Sequence, residues 1–182
     1  MHEPQTDQEL VEAIRGGDSS AFEELYLRHR DWAFRVALRF THDDNLAMDA
    51  VQEAFLYLHR KGRGLRLTAR FTTFLYPVVR HESQRQMRRA RRGNPVSIDT
   101  AAPRVLWDQR DEIGEDVLEH LARALAALPD TQREVVLMAT ADGMTHGEIA
   151  VALQIPLGTV KSRLHAAMKA LRSDARLASF FD

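Results

Sequence analysis

Residues 145–171 constrain the fold more than any other stretch, because they carry the start, stop and period signals of two short helices. Thr145 and Glu148 have the spacing of a capping box, which predicts that a helix begins there. Pro156 and Gly158 interrupt this helix, and a second one is predicted to start near Pro156. Its apolar positions are spaced four, three and four, at Val160, Leu164, Ala167 and Leu171. Two short helices joined by a tight turn form a helix-turn-helix, whose second helix can lie in the major groove of DNA.

The second predicted helix has a polar side opposite its apolar stripe. With 3.6 residues per turn, that side carries Ser162, His165, Ala166 and Lys169, flanked by Lys161 and Arg163. Hydroxyl, imidazole and cationic groups can bind base edges and phosphates. Periodicity alone is equally compatible with an ordinary amphipathic helix that has a solvated basic face.

Composition favours a soluble cytoplasmic regulator. The chain has 182 residues and no cysteine, so a disulfide framework and a thiolate metal site are excluded. Its apolar runs are too short for membrane insertion, and the polar, acidic N-terminus does not resemble a signal peptide. Helical periodicity without strand alternation predicts an all-α fold. We expect two small helical domains, 1–92 and 116–182, joined by a flexible acidic linker at 93–115.

The net charge of −1 conceals a strong asymmetry along the chain. Residues 60–92 contain 11 basic groups and 1 acidic group, whereas residues 1–59 contain 5 basic and 12 acidic groups. Such a concentration of positive charge within one segment is typical of a surface that binds a polyanion.

Helix signals also mark the N-terminal half. Thr6 with Glu9, and Ser20 with Glu23, have capping-box spacing and predict the starts of the first two helices. The acidic run 42–44 is interpreted as a helix cap rather than as part of a metal site. A third helix, from about Asn45 to Arg60, is predicted to pack through the apolar residues Ala47, Ala50, Val51, Ala54, Phe55 and Leu58.

One face of the third helix is polar. Asp49, Gln52 and Glu53 are spaced three and four residues apart and therefore share that face. Val51 and Phe55 point elsewhere, into the core. The trio can meet a basic partner while the other side packs, although a solvated acidic face would produce the same spacing.

Three motifs resemble the extracytoplasmic-function (ECF) group of bacterial sigma-70 factors. Residues 158–165, Gly-Thr-Val-Lys-Ser-Arg-Leu-His, and residues 125–137 resemble sigma region 4, and residues 49–56 resemble the part of region 2 that docks on RNA polymerase. The resemblance implies that Asp49, Gln52 and Glu53 bind core polymerase. It also implies that the −35 promoter element is bound by Lys161, Ser162, Arg163, His165 and Lys169.

The basic segment resembles the promoter-melting part of region 2. The loop 61–70 corresponds to the family's loop that captures a flipped base of the −10 element. Aromatic rings can stack on unpaired bases, and arginines can follow the backbone of a single strand. The predicted −10 and melting residues are Arg63, Arg66, Arg70, Phe71, Phe74, Tyr76, Arg80, Arg85 and Arg88. For the three aromatic residues, a place in the hydrophobic core is the alternative.

The chain departs from the family pattern at several positions. Phe74 stands where the family usually has Trp, and His81 where it often has Asn. Pro77 lacks a backbone donor, which predicts that the fourth helix kinks or begins later than in relatives. Ala166 and Met168 replace two commonly cationic residues, so weaker duplex binding with a shallower salt dependence is expected.

No signature of catalysis, cofactor binding or metal binding emerges from the sequence, and neither an enzyme nor a cofactor is expected. The predicted function is that of a sigma factor, which binds core RNA polymerase and promoter DNA and is held by an anti-sigma factor. One alternative is a sigma-like mimic that sequesters an anti-sigma factor without acting at promoters. The other is a plain helix-turn-helix regulator, which leaves the basic segment and residues 49–56 unexplained.

Overall fold

The described part of the protein is helical, as the periodicity predicts. A computed structural model describes residues 5–93 and 115–174, and within these ranges all regular elements are helices. The chain divides into two compact units, Met1–Ile98 and Asp99–Asp182. The predicted linker, 93–115, lies almost wholly outside the described residues, so the limits of the two predicted domains stay predictions.

The first unit contains four helices and one 3₁₀ turn within residues 5–93. They are α1 (Asp7–Gly16), α2 (Ser19–Thr41), α3 (Asp44–Lys61), the 3₁₀ turn (Gly62–Gly64) and α4 (Phe71–Gly93). Helices α2, α3 and α4 pack against one another, and α1 packs on α2 and on the 3₁₀ turn. The predicted apolar stripe of α3 is confirmed, since all six of its residues are buried.

Local capping explains most helix boundaries in this unit. Thr6 and Glu9 form the predicted capping box at the start of α1. The predicted box at Ser20 is wrong, because Asp18 caps α2. The Ser20 hydroxyl and the backbone N–H groups of Ser20 and Ala21 donate to this carboxylate, and they lower the pKa of Asp18 below its ordinary value. Asp43 caps α3 by accepting from the backbone of Leu46, which confirms the cap interpretation of 42–44.

Pro77 lies inside α4, in its second turn. The helix begins at Phe71 and continues through Pro77, and whether it kinks there or begins later than in relatives stays a prediction. Pro77 cannot donate to the carbonyl of Thr73, and its ring crowds the preceding turn. The surrounding residues Leu75, Tyr76 and Val79 are fully buried, and their packing against the neighbouring helices holds this turn helical.

The second unit contains four helices within residues 115–174. They are α5 (Glu115–Ala127), α6 (Asp130–Thr140), α7 (His146–Leu153) and α8 (Leu157–Arg172). Thr145 and Glu148 form the predicted capping box of α7, and Gln154 ends that helix in the left-handed conformation, with φ of 55°. Helices α7 and α8 are therefore the predicted helix-turn-helix. Pro156 precedes α8 as its N-cap residue rather than occupying its first turn.

The core of the second unit holds α8 against α5 and α6. Val160, Ala167 and Leu171 are buried, and Leu164 packs against the same core while staying half-buried. Leu125 of α5 and Leu137 of α6 lie in this cluster. The apolar side of α8 is thereby fixed inward, which leaves its opposite side to solvent.

Arg133 of α6 closes the C-terminal end of α5. Its guanidinium donates to the backbone carbonyls of Leu125, Ala126 and Leu128 at 2.7, 2.7 and 2.8 Å. The last carbonyls of a helix have no partner within that helix, so these bonds replace the missing ones. Together with the backbone bond from Leu128 N–H to the Leu125 carbonyl, these contacts hold the turn between α5 and α6.

Candidate DNA-binding and docking surfaces

The outward side of α8 presents four of the five predicted −35 residues. Lys161, Ser162, His165 and Lys169 are exposed, whereas Arg163 is half-buried on the flank. The Ser162 hydroxyl donates to the carbonyl of Thr159 at 3.0 Å, so its proton is engaged and its oxygen remains as an acceptor. The surface therefore offers cationic donors at both ends with an imidazole between them.

Two residues of α8, the recognition helix of the helix-turn-helix, stand where the family commonly has cations, and their surroundings differ. Ala166 is half-buried beside the exposed face, and Met168 packs against the core of the second unit. Neither contributes charge, so the face has fewer groups that can neutralise phosphates than the family pattern would provide.

The polar face of α3 is less uniform than its spacing predicts. Asp49 and Gln52 are exposed, but Glu53 is half-buried, with its carboxylate 4.0 Å from the Arg85 guanidinium. Two apolar side chains that the sequence reasoning missed share the exposed surface: Met48 is 46% exposed and Leu56 45%. Their spacing of four residues on either side of Gln52 was the available signal.

An apolar hollow lies beside this face, between α2 and α3. This open hollow has a volume of about 370 Å³ and is lined by Phe22, Tyr26, Gln52, Phe55, Leu56 and His59. The rings of Tyr26 and Phe55 pack edge to face with centroids 4.9 Å apart, and those of Phe22 and His59 do so at 5.2 Å. An exposed acidic and amide face with an apolar hollow next to it is a common composition for a protein-docking surface.

The predicted melting arginines of α4 fall into two groups. Arg88 is exposed, as are its neighbours Arg89, Arg91 and Arg92. Arg80 is half-buried, with its guanidinium 6.0 Å from the centroid of the Phe40 ring, and Arg85 binds Glu82 at 3.0 Å. The C-terminal part of α4 is therefore the more accessible polyanion surface.

The structure separates the three predicted stacking residues. Phe71 and Tyr76 are each 1% exposed and belong to the core, which is the alternative that the sequence left open. Neither ring exposes a face on which a base could stack, although Phe71 contributes to the edge of a cavity beside the loop 61–70. Phe74 is half-buried, and the Lys61 ammonium lies 5.0 Å from its ring centroid.

The loop 61–70 carries Arg63, Arg66 and Arg70 as exposed side chains. It borders a cavity of about 320 Å³ whose other walls come from α1, α2 and the start of α4. The lining residues are Thr6, Asp7, Gln8, His29, Leu67, Ala69, Arg70, Phe71 and Thr72.

Helix α1 is tied to this loop and cavity by polar contacts. Asp7 binds Nε2 of His29 at 2.8 Å and the Arg28 guanidinium at 2.9 Å. At the other end of α1, Nε of Arg15 donates to the backbone carbonyl of Arg63 at 3.4 Å. Sequence patterns missed this arrangement, because the partners come from three separate segments.

The described residues contain neither a candidate metal-binding cluster nor a candidate membrane-spanning helix. Within 5–93 and 115–174, no group of three or more His, Cys, Asp or Glu side chains is arranged to hold a metal ion. Over the same ranges, no helix combines the length and the apolar character needed to cross a membrane.

Comparison with known proteins identifies the two units. The first matches the family model for sigma-70 region 2 over residues 25–93, and the second matches sigma-70 region 4 over residues 118–171. Together these matches cover more than half of the chain. They define a transcription-initiation protein of two helical regions, the second with a helix-turn-helix.

Curated relatives extend the match over nearly the whole chain. The ECF RNA polymerase sigma-E factor of Escherichia coli is 28% identical over 182 residues, covering 94% of this chain and 95% of the relative. The RNA polymerase sigma-H factor of Pseudomonas aeruginosa is 27% identical, covering 91% of each chain. The protein belongs to the sigma-70 family, in its ECF group.

Two solved structures share the fold. CnrH, solved in complex with the cytosolic domain of CnrY, has a TM-score of 0.66 and 20% identity and covers 98% of each chain. The sigma factor RpoE of Bartonella quintana, solved with the anti-sigma factor NepR, has a TM-score of 0.64 and 23% identity and covers 83% of this chain and 94% of that one.

Proposed function

We propose that this protein binds core RNA polymerase and directs it to promoters through two separate DNA contacts. Helix α8 reads the −35 element, and α4 with the loop 61–70 binds and melts the −10 element. The observation that carries the proposal is the outward side of α8, where exposed Lys161, Ser162, His165 and Lys169 stand opposite a buried stripe within a helix-turn-helix.

At the −35 element, the side chains of α8 have two roles. Lys161, Ser162 and His165 bind base edges, because donors and acceptors on the groove-facing side of a recognition helix meet the hydrogen-bonding pattern of the bases. Arg163 and Lys169 bind phosphates, since Arg163 lies on the flank and Lys169 lies further along the helix. Phosphate contacts supply affinity, and base contacts supply sequence preference.

At the −10 element, the cavity beside the loop receives an unstacked base. Its volume of about 320 Å³ suits a small ligand, and Asp7 and His29 line it with polar groups. Extruding a base costs a few kcal/mol, and a stacking contact returns roughly 1–3 kcal/mol per base. Phe74 is half-buried but does not line this cavity, so its ring would stack on a different unpaired base, and the arginines of α4 and the polymerase contribute the rest.

An anti-sigma factor is proposed as the regulatory partner. Both structural neighbours were solved in complex with a second protein, which for RpoE is named as an anti-sigma factor. The apolar hollow between α2 and α3, next to exposed Met48 and Leu56, offers a protein-binding surface on the first unit. Acting on polymerase and DNA, the protein would work in the cytoplasm.

The −35 assignment predicts two kinds of defect in reconstituted holoenzyme. His165→Ala should relax sequence preference at one −35 position and cost about 1–3 kcal/mol there, because a base contact is lost. Lys169→Ala should weaken binding to all −35 sequences alike. It should also lower, by about one unit, the slope of the logarithm of the binding constant against the logarithm of the salt concentration (the salt slope). The measurement is run-off transcription on a promoter selected from genomic fragments, and on its single-base −35 variants, at several salt concentrations.

Arg123→Ala is the matched control, since this exposed cation lies on α5 and pairs with Glu119. An unchanged −35 preference in His165→Ala would mean that α8 lies in the groove with a different rotation. The wild-type protein could instead yield no promoter-specific transcript and yet bind an anti-sigma factor tightly. That result would favour a sigma-like mimic, which sequesters an anti-sigma factor without acting at promoters. Specific duplex binding without core polymerase would instead favour a plain helix-turn-helix regulator.

The −10 assignment predicts a defect in strand opening. Arg88→Ala should reduce the permanganate reactivity of unpaired thymines in the −10 region, because an exposed contact to the single strand is lost, and the salt slope should fall by about one unit. Arg30→Ala removes a cation from α2 that pairs with Asp31, and it should leave opening unchanged. Equal loss in both variants would indicate a general charge effect rather than a strand contact.

A further inference from the structure

Leu157 is an exposed leucine at the start of the recognition helix. It is the first residue of α8, directly after the N-cap residue Pro156, and 44% of its surface is accessible. Among the described residues of the second unit, Val151 is the other large apolar side chain with comparable exposure, at 61%. The core leaves Leu157 outside because its apolar stripe begins at Val160.

Leu157 lies at the edge of the proposed reading face, at the N-terminal end of α8. Residues 157 and 161 are four apart, so Leu157 neighbours Lys161 on the helix surface, although it also lies three residues before buried Val160 and so continues the spacing of the buried stripe. At the neighbouring Gly158, a Cβ atom would meet no described atom within 4 Å. The N-terminal turn of α8 is therefore open on this side, and the N-terminal residues of a recognition helix are those that reach base edges.

The chemistry of the groove restricts what Leu157 can contact. A leucine side chain neither donates nor accepts hydrogen bonds, and the C5-methyl of thymine is the apolar group that base pairs present in the major groove. We propose that Leu157 is a specificity-determining residue that packs on a thymine methyl of the −35 element. This inference rests on the proposed function of α8.

The composition of α8 makes an apolar contact to DNA more important for binding. Ala166 and Met168 bring no charge to the helix, and Met168 is engaged in the core. With fewer cationic groups on α8 to neutralise phosphates, binding depends more on the remaining contacts, among which an apolar contact to a base also carries sequence preference. Substituting Leu157 should therefore alter the preference for thymine and leave the remaining −35 preferences in place.

The experiment removes the C5-methyl group of thymine from the DNA, so that the contact can be tested without changing the protein. Each thymine of the selected −35 element is replaced in turn by deoxyuridine, and holoenzyme binding and run-off transcription are measured. One replacement should weaken wild-type binding about fourfold, which corresponds to burial of one methyl group. With Leu157→Ala, thymine and deoxyuridine at that position should bind equally, and Leu157→Asn, of similar size but polar, should behave in the same way.

Val151→Ala is the matched control, because it shortens the other exposed aliphatic side chain, which lies on α7, and should keep the fourfold ratio. Wild-type holoenzyme that tolerates deoxyuridine at every −35 position would overturn the inference while leaving the proposed function intact. Leu157→Ala holoenzyme that keeps the ratio would assign the methyl contact to another residue. Loss of anti-sigma binding alone in Leu157→Ala would make this leucine a protein contact. Absence of promoter-specific transcription by wild type is the separate failure of the proposed function.

Discussion

Asp49→Arg is expected to weaken binding to core RNA polymerase about thirtyfold while leaving the helical circular dichroism spectrum unchanged. Asp49 is exposed on α3, beside Gln52, and its side chain makes no contribution to the buried side of the helix. If this face meets a basic surface of the polymerase, an arginine creates like-charge repulsion, on the order of 2 kcal/mol, where there was attraction. Titration of labelled protein with core polymerase at low and moderate salt measures the effect.

Asp49 is substituted alone, without Glu53, because the two carboxylates have different surroundings in the structure. Glu53 has the right spacing for the same face, but its carboxylate lies 4.0 Å from Arg85 on α4. An arginine at 53 would repel Arg85 and disturb helix packing, so loss of binding by that variant would be ambiguous. Asp31→Arg, an exposed reversal on α2, is the appropriate control. Unchanged affinity of Asp49→Arg for core polymerase would show that this part of α3 does not belong to the polymerase-binding surface.

Arg133→Met is expected to lower the stability of the second unit by about 2–4 kcal/mol. The carbonyls of Ala126 and Leu128 lose the guanidinium donor, whereas that of Leu125 keeps the backbone N–H of Leu128. A hydrogen bond from a charged group has a net worth of roughly 1.5–3 kcal/mol, and water partly replaces the lost donor because Arg133 is only half-buried. Domains of this size have total stabilities on the order of 5 kcal/mol. The unfolding midpoint of the second unit should therefore fall by on the order of 10–20 °C, as measured by circular dichroism on the full chain.

Two substitutions test the specificity of this effect. Arg133→Lys keeps the charge but loses the planar fork of donors, so it should be intermediate in stability. Arg123→Met removes an exposed arginine with one ion pair to Glu119, at 3.5 Å, and should change stability by less than about 0.5 kcal/mol. A midpoint for Arg133→Met equal to that of Arg123→Met would mean that water satisfies the α5 carbonyls as well as the guanidinium does.

The sequence alone determined the features that depend on residues close together along the chain. The capping boxes at Thr6 and Thr145 each join residues three apart, and both are present. The buried stripes of α3 and α8 follow from the helical period, and with them the outward direction of Asp49 and His165. The motifs at 49–56 and 158–165 were sufficient for the family, because they lie within single helices.

Only the tertiary structure decided the features that depend on what a second helix places nearby. Phe71 and Tyr76 are core residues because α4 packs its N-terminal half on the helices before it, while the arginines of its C-terminal part, such as Arg88, remain accessible. Glu53 is drawn toward Arg85 across a helix interface. Leu157 stays exposed because the core of the second unit begins one turn later, at Val160. Helical periodicity gives the direction of a side chain from its own axis, but burial and pairing depend on neighbours that the chain brings together only by folding.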